Sequence, residues 1–132
     1  MDYAAQRVVI ESAFSTSWAT ATPIAWENVA YEPTPSTQFV SLRILPSNVN
    51  RRNIGQANAL YRYFGIVEIV IYVPKNTGMA TAYDLADRAI AIFRDNNLDS
   101  VHFREGKIQD KFDMEEWVGI IITVPYFNDE IT

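Results

Sequence analysis

His102 is the only histidine in the chain, and it stands between Val101 and Phe103 in a stretch that alternates like a short strand. A triad base or an imidazole metal ligand would have to be this residue, and there is no cysteine to share the work. No nucleophile signature lies nearby, so a packed strand residue is the plainer reading. The carboxylate pairs Asp129-Glu130 and Glu115-Glu116 are adjacent in sequence. In a strand, adjacency turns two side chains to opposite faces and removes the close approach that an acid/base pair needs. Neither Gly-x-Gly-x-x-Gly nor Gly-x-x-x-x-Gly-Lys occurs. The residues offer no catalytic, metal-binding or cofactor-binding set, and an enzyme is not expected.

Composition narrows the classes further. A chain of 132 residues fits one domain, here expected over residues 1–132, and can bury roughly two-thirds of its unfolded surface. With 48% hydrophobic, 20% charged and 13% aromatic residues it has the makings of an ordinary globule. A net charge of -5 and a pI of about 4.7 disfavour a protein that works by neutralising nucleic-acid phosphates. The absence of cysteine fits synthesis in a reducing cytoplasm. No apolar run reaches the length of a membrane span, and Met-Asp-Tyr-Ala-Ala lacks a basic signal-peptide start. A soluble protein outside the general secretory route is expected.

The element around which the rest is organised is Gly65 to Pro74, Gly-Ile-Val-Glu-Ile-Val-Ile-Tyr-Val-Pro. As a strand it puts Val67, Ile69, Ile71 and Val73 on one face, where each gains roughly 1.5 to 3 kcal/mol if fully buried. The other face, Ile66, Glu68, Val70 and Tyr72, is too apolar for plain exposure and too polar for a sealed core. It suits a partner surface. Gln38 to Leu45 repeats the pattern, with Val40, Leu42 and Ile44 against Phe39, Ser41 and Arg43, and Pro46 is expected to stop it. Glu116 to Tyr126 repeats it again, with Val118, Ile120, Ile122 and Val124 against Trp117, Gly119, Ile121 and Thr123, and Pro125 is expected as its end. Val101–Phe103 reads as a short strand before the Glu105-Gly106-Lys107 turn, with a further extended piece through Ile108.

Two helices complete the pattern. Tyr3 to Ala19 carries Val9, Ile10, Ala13 and Phe14 on one side of a 3.6-residue period and Arg7, Glu11 and Ser15 on another. Met79 to about Asp95 aligns Ala82, Leu85, Ala86, Ala89 and Phe93, with Asp84 and Arg88 spaced to pair and Asn96-Asn97 as a stop. Thr22 to Pro35 is a proline-punctuated connector whose Trp26 and Tyr31 pack along the sheet edge. Pro46 to Arg62 reads as a long polar connection, of a length usually kept for binding. It carries Arg51 and Arg52 at its tip, and Arg62 closes it. Arginine is the side chain best shaped to reach carboxylates or phosphates on a neighbour. The resulting fold class is α+β: one mixed or antiparallel sheet of about four main strands, two helices packed on one face, in the order α-β-β-α-β-β.

Several of these short stretches, taken together, carry a likeness. Ala25-Trp26-Glu27-Asn28-Val29, Tyr31-Glu32-Pro33, Leu45-Pro46, Gly65-Ile66, Tyr72-Val73-Pro74, Gly78, Leu85-Ala86-Asp87, Phe93, Trp117 and Val124-Pro125-Tyr126 fall in an order and spacing that resembles the tail terminator proteins of long-tailed bacteriophages. The resemblance spans about residues 20 to 127. It implies a virion protein that forms a homo-oligomeric ring, typically a hexamer, on the head-proximal end of the tail tube. Such a ring stops tube growth and offers a surface to the head-tail connector protein, while DNA passes through its channel without specific binding and no membrane is involved. The physical pattern and the likeness meet at the mixed sheet face. Phe39, Arg43, Val70, Tyr72, Trp117 and Ile121, together with Arg51, Arg52 and Arg62, form the candidate interface to sister subunits or the tube. The alternative is a nucleic-acid-binding or small-ligand-binding module of the same fold class.

Overall fold

Alternation of β-branched residues builds the centre of the structure. The computed structural model describes residues 2–52, 59–94, 97–98 and 100–131. Strand β3, Leu60–Pro74, buries Val67, Ile69, Ile71 and Val73 on one face. It lies between β2, Phe39–Arg51, and β7, Trp117–Ile131, antiparallel to both. The register stacks like with like: Ile71 sits between Val40 and Ile120, and Ile69 between Leu42 and Ile122. Strand β1, Ile24–Trp26, runs parallel to β2 at one edge. At the other edge β5, Val101–Phe103, and β6, Lys107–Asp113, share the outer side of β7, and β4, Asn97–Leu98, pairs with β5. Among the described residues the sheet is mixed, with seven strands.

Both helices cover the β-branched face. Helix α1, Tyr3–Trp18, starts at Asp2, whose carboxylate accepts a hydrogen bond of 2.8 Å from the Ala5 amide, a cap worth about 1 kcal/mol. Its buried side is Gln6, Ile10, Phe14 and Trp18, one residue per turn. Helix α2, Ala80–Phe93, buries Ala82, Ala86, Ala89, Ile90 and Phe93. Alanine at these positions lets the helix axis come close to β3 and β7, and Phe14 stacks on Phe93 with ring centres 6.2 Å apart. Ile10, Phe14 and Trp18, the α2 alanines and the inward residues of the sheet form one core cluster.

The two helices are also tied by hydrogen bonds. The spacing of Asp84 and Arg88 suggests a pair along α2. Instead, the Arg88 guanidinium reaches across to α1 and donates to the Trp18 carbonyl at 3.2 Å and the Ser17 carbonyl at 3.4 Å. A cation at a helix C-terminus satisfies otherwise orphaned carbonyls and complements the helix dipole. The Trp18 indole N–H donates to the Thr22 hydroxyl at 3.0 Å, and that hydroxyl donates to the Pro23 carbonyl at 2.9 Å. This chain of bonds turns the backbone from α1 into β1.

The α+β class with helices on one face is as the sequence implies, but three strand boundaries differ. Pro46 does not stop β2, which runs on to Arg51, because the proline sits where two residues, Ser47 and Asn48, oppose Phe64 alone in a bulge. With β1 flanking only Val40–Leu42, the missing Pro46 N–H faces no partner strand. The partner side therefore begins at Leu60 rather than Gly65, and the described part of the polar connection extends β2 and β3 into an arm that β7 flanks on the other side of β3. Its residues 53–58 lie outside the described residues. Pro125 does not end β7 either. Its carbonyl accepts from the Arg104 amide at 2.9 Å, so its donorless nitrogen faces the junction where β5 gives way to β6.

Strands β1 and β4 are additions to the expected pattern, and β6 is much longer than a piece through Ile108. Helix α2 ends at Phe93; Asp95 and Asn96 lie outside the described residues, and Asn97 opens β4 rather than a stop. Tyr126, 3% exposed, lays its ring across Gly65, where any Cβ would run into it. Burial pushes the Tyr126 hydroxyl up to about 12.

Close approach of α2 to the sheet leaves no room for a larger side chain at the buried Ala86. Ala86→Leu should cost about 1 to 3 kcal/mol, read as a lowered urea midpoint. An unchanged midpoint would refute the packing described.

Candidate protein interface

The face of the sheet turned away from the helices is assembled from cross-strand rows. Phe39 pairs with Tyr72, Tyr72 with Gly119, and Gly119 with Phe112, so that one row crosses four strands. Phe39 stacks on Tyr72 with ring centres 4.5 Å apart and planes within 10°. Trp117 meets Phe39 edge-on at 5.1 Å, and Tyr31 from the β1–β2 loop covers it at 5.0 Å. Phe112 closes the row against Tyr72 at 6.0 Å by lying over Gly119, where a side chain would collide with its ring. Aromatic pairs in these geometries contribute about 0.5 to 1.5 kcal/mol beyond burial.

Below the aromatic row come Ser41, Val70 and Ile121, then Arg43, Glu68 and Thr123. The Arg43 guanidinium pairs with the Glu68 carboxylate at 2.9 Å, directly across the strands. A shallow groove of about 470 Å³ runs between these rows and the Trp26–Asn28 segment. Its floor is Val70, Tyr72 and Ile121, and its polar wall is Ser41, Arg43 and Glu68. Hydrocarbon and ring surface with a polar rim is what a protein partner packs against.

Phe39, Arg43, Val70, Tyr72, Trp117 and Ile121 thus share one face. They do not share one degree of exposure. Phe39, Val70 and Trp117 are 7% exposed each, Phe39 and Trp117 being in ring contact, whereas Tyr72 and Ile121 are half-buried and Arg43 is exposed. The part of this face that remains accessible is therefore the groove and its rim, not the whole aromatic row. Phe112 is the contributor that alternation misses. A bulge at Gln109 flips the pattern, so that Ile108 opposes the inward Ile122 while Phe112 opposes the outward Gly119.

Arg62 stands opposite Asn50 in the arm. It forms a two-pronged pair with Asp129, at 2.7 and 3.0 Å, and lies over the Phe127 ring at 4.4 Å. The hydrogen bonds from Arg62 hold the Asp129 carboxyl below its usual value of 3.8. His102 stacks on Phe127 at 4.8 Å beside this pair, packed as a strand residue. Asp129 and Glu130 do point to opposite faces, since Glu130 is bonded to Tyr63, whose ring meets Tyr3 of α1 at 5.3 Å. Glu115 and Glu116 lie in the β6–β7 turn rather than in a strand, and both are exposed. Arg51 and Arg52 are exposed at the described end of the arm. Among the described residues no group of three His, Cys, Asp or Glu side chains could hold a metal ion, and no helix is long and apolar enough to cross a membrane.

Because Asp129 titrates lower folded than unfolded, its pair with Arg62 stabilises the fold above pH ~4 and is lost as pH falls through the depressed value. Asp129→Asn should cost about 1 kcal/mol at neutral pH, a modest figure because both partners are partly exposed. The gap to the parent chain should narrow by about pH 2. An equal gap in urea midpoint at both pH values would show the pair to be energetically silent.

Residues 7–126 match the family described as phage tail terminator protein. A solved structure that carries no functional name is similar in fold, with 19% identity, a TM-score of 0.64, and coverage of 92% of this chain and 94% of its own. Among curated proteins none matches.

Proposed function

The chain belongs to the phage tail terminator family, and on that premise we propose that it forms a ring, typically hexameric, that caps the head-proximal end of the tail tube. The ring ends tube elongation and presents its other side to the head-tail connector protein. The observation that carries this reading is the lopsided sheet. Both helices shield one face, and the other keeps a groove floored by Val70, Tyr72 and Ile121 and rimmed by Arg43 and Glu68. A sister subunit or the terminal tube ring docks there.

A ring repeats one heterologous contact around its axis and so has two unlike ends. Termination then requires no reaction. One end matches the tube, and the opposite end lacks the surface that another tube ring would grip. The net charge of -5 supports a channel lined by carboxylates, along which DNA slides without adhering. This places the protein in the virion, after synthesis in the host cytoplasm.

Tails assembled without this protein should be overlong or fail to join heads when imaged by electron microscopy. Tails of ordinary length that carry heads would sink the reading. Within the protein, Ile121→Asp puts no charge in the helix-side core, since the side chain lies on the open face, yet sets a carboxylate in the groove floor. It should leave the thermal unfolding transition cooperative while reducing ring assembly at least tenfold by sedimentation; full assembly would remove the groove from the interface.

A further inference from the structure

Helix α1 lacks the charged outer side of an ordinary surface helix. Its exposed turns carry Ala4, Val8, Ser12 and Ser15, and Val8, the largest of these, is 52% exposed. The only charged residues of the helix are Arg7 and Glu11, which pair with each other at 2.7 Å on the flank that faces residues 26–29. Helix α2, by contrast, exposes Asp84, Asp87 and Arg88. An outer side depleted of charge, with one ion pair at its margin, suits contact with another protein surface.

The groove on the open face has the matching form. From β1 to Phe112 on β6 it crosses four strand spacings, roughly 19 Å. From Ala4 to Ser15 the outer side of α1 runs about 16 Å. The groove also carries an ion pair at its rim, Arg43 with Glu68 at 2.9 Å, while its other carboxylate, Glu27, is held by the Ile44 amide at 3.3 Å. The two pairs are alike in reach: Arg7 and Glu11 are 57% and 22% exposed, Arg43 and Glu68 53% and 21%. In each, one guanidinium nitrogen meets one carboxylate oxygen, so the arginine keeps further N–H donors and the glutamate a second oxygen. Set against each other in opposite order, Arg7 to Glu68 and Arg43 to Glu11, the pairs close a square of alternating charge.

We infer that α1 of one copy lies in the open-face groove of the next, with Val8 on the floor of Val70, Tyr72 and Ile121 and the two ion pairs joined as that square. Within one copy α1 and the groove lie on opposite faces of the sheet, so they meet only between copies. A contact between unlike surfaces is heterologous and closes into a ring when its rotation permits. This rests on the reading of the groove as an interface and names its occupant.

The test exchanges the charges within each pair, which keeps the attraction inside the chain. Arg7→Glu/Glu11→Arg retains an i, i+4 pair, and Arg43→Glu/Glu68→Arg retains a cross-strand pair. Circular dichroism checks the fold. Either exchange alone sets like charge against like across the contact, and self-association of the full chain in sedimentation velocity should weaken at least tenfold. All four substitutions in one chain restore the alternation and should return association to the parent's level. Val8→Asp, at an exposed position, should weaken association as far without touching either pair. Single exchanges that associate as the parent does, a quadruple variant as weak as its parts, or a parent chain that never self-associates would each overturn the contact. Exchanges without effect beside an impaired Ile121→Asp would keep the groove as an interface and discard α1 as its occupant. Tails of ordinary length in the protein's absence would instead discard the terminator reading itself.

Discussion

The antiparallel register of β3 between β2 and β7 is the constraint on which the rest of the structure depends. Side chains alternate with a period of two, so a slip of one residue would exchange the faces of an entire strand. Ile71, Val40 and Ile120 would then face water, and Tyr72, Phe39 and Gly119 would meet the helices. The β-branched row leaves little freedom, since only it fits beneath the alanines of α2. The aromatic row reinforces the same choice from the other side: Phe112 reaches Tyr72 only because Gly119, and no larger residue, lies between them. Two unlike layers therefore specify one alignment.

Much of this was open to inspection in the sequence. Where apolar and polar residues alternate without interruption, as from Val67 to Val73 and from Val118 to Val124, face and strand both follow from period alone. What escaped were the places where the backbone changes phase. Proline need not end a strand: the Pro46 nitrogen points away from β3, and the Pro125 nitrogen faces Arg104 where β5 stops, while the ladder to β3 on the other side of β7 runs on. A bulge reverses the faces on either side of it, which is why Phe112 is hidden from a reading that counts by twos. Strands β1 and β4, of three and two residues, are too short for any period to register. Their existence depends on the neighbour they pair with.

The candidate site divides along the same line. Membership of a face is a property of one strand, and Phe39, Arg43, Val70, Tyr72, Trp117 and Ile121 could be grouped from their positions. Exposure depends on contacts across strands and loops, and nothing local says that Tyr31 and Trp117 will cover Phe39. Arg62 makes the point most sharply. Its partner Asp129 is 67 residues away, and only the β3–β7 register brings the two side chains into a fork. An arginine in a polar stretch looks available for a partner; here it ties β3 to β7.

The treatment of the sheet edges bears on how such a protein can associate at all. An open edge is a template for another strand, and a chain made in many copies risks unlimited growth. This sheet offers little to grip. Along β2 the outward groups are taken by Glu27, removed at Pro46 or displaced by the bulge, and β4 contributes two residues. On β6 the bulge at Gln109 and the charges of Lys107, Asp110, Lys111 and Asp113 break any regular ladder. With edge pairing obstructed along most of the described perimeter, the groove on the open face is the apolar surface left accessible. A groove of limited extent admits few contacts per copy, where an open strand edge would admit continued addition.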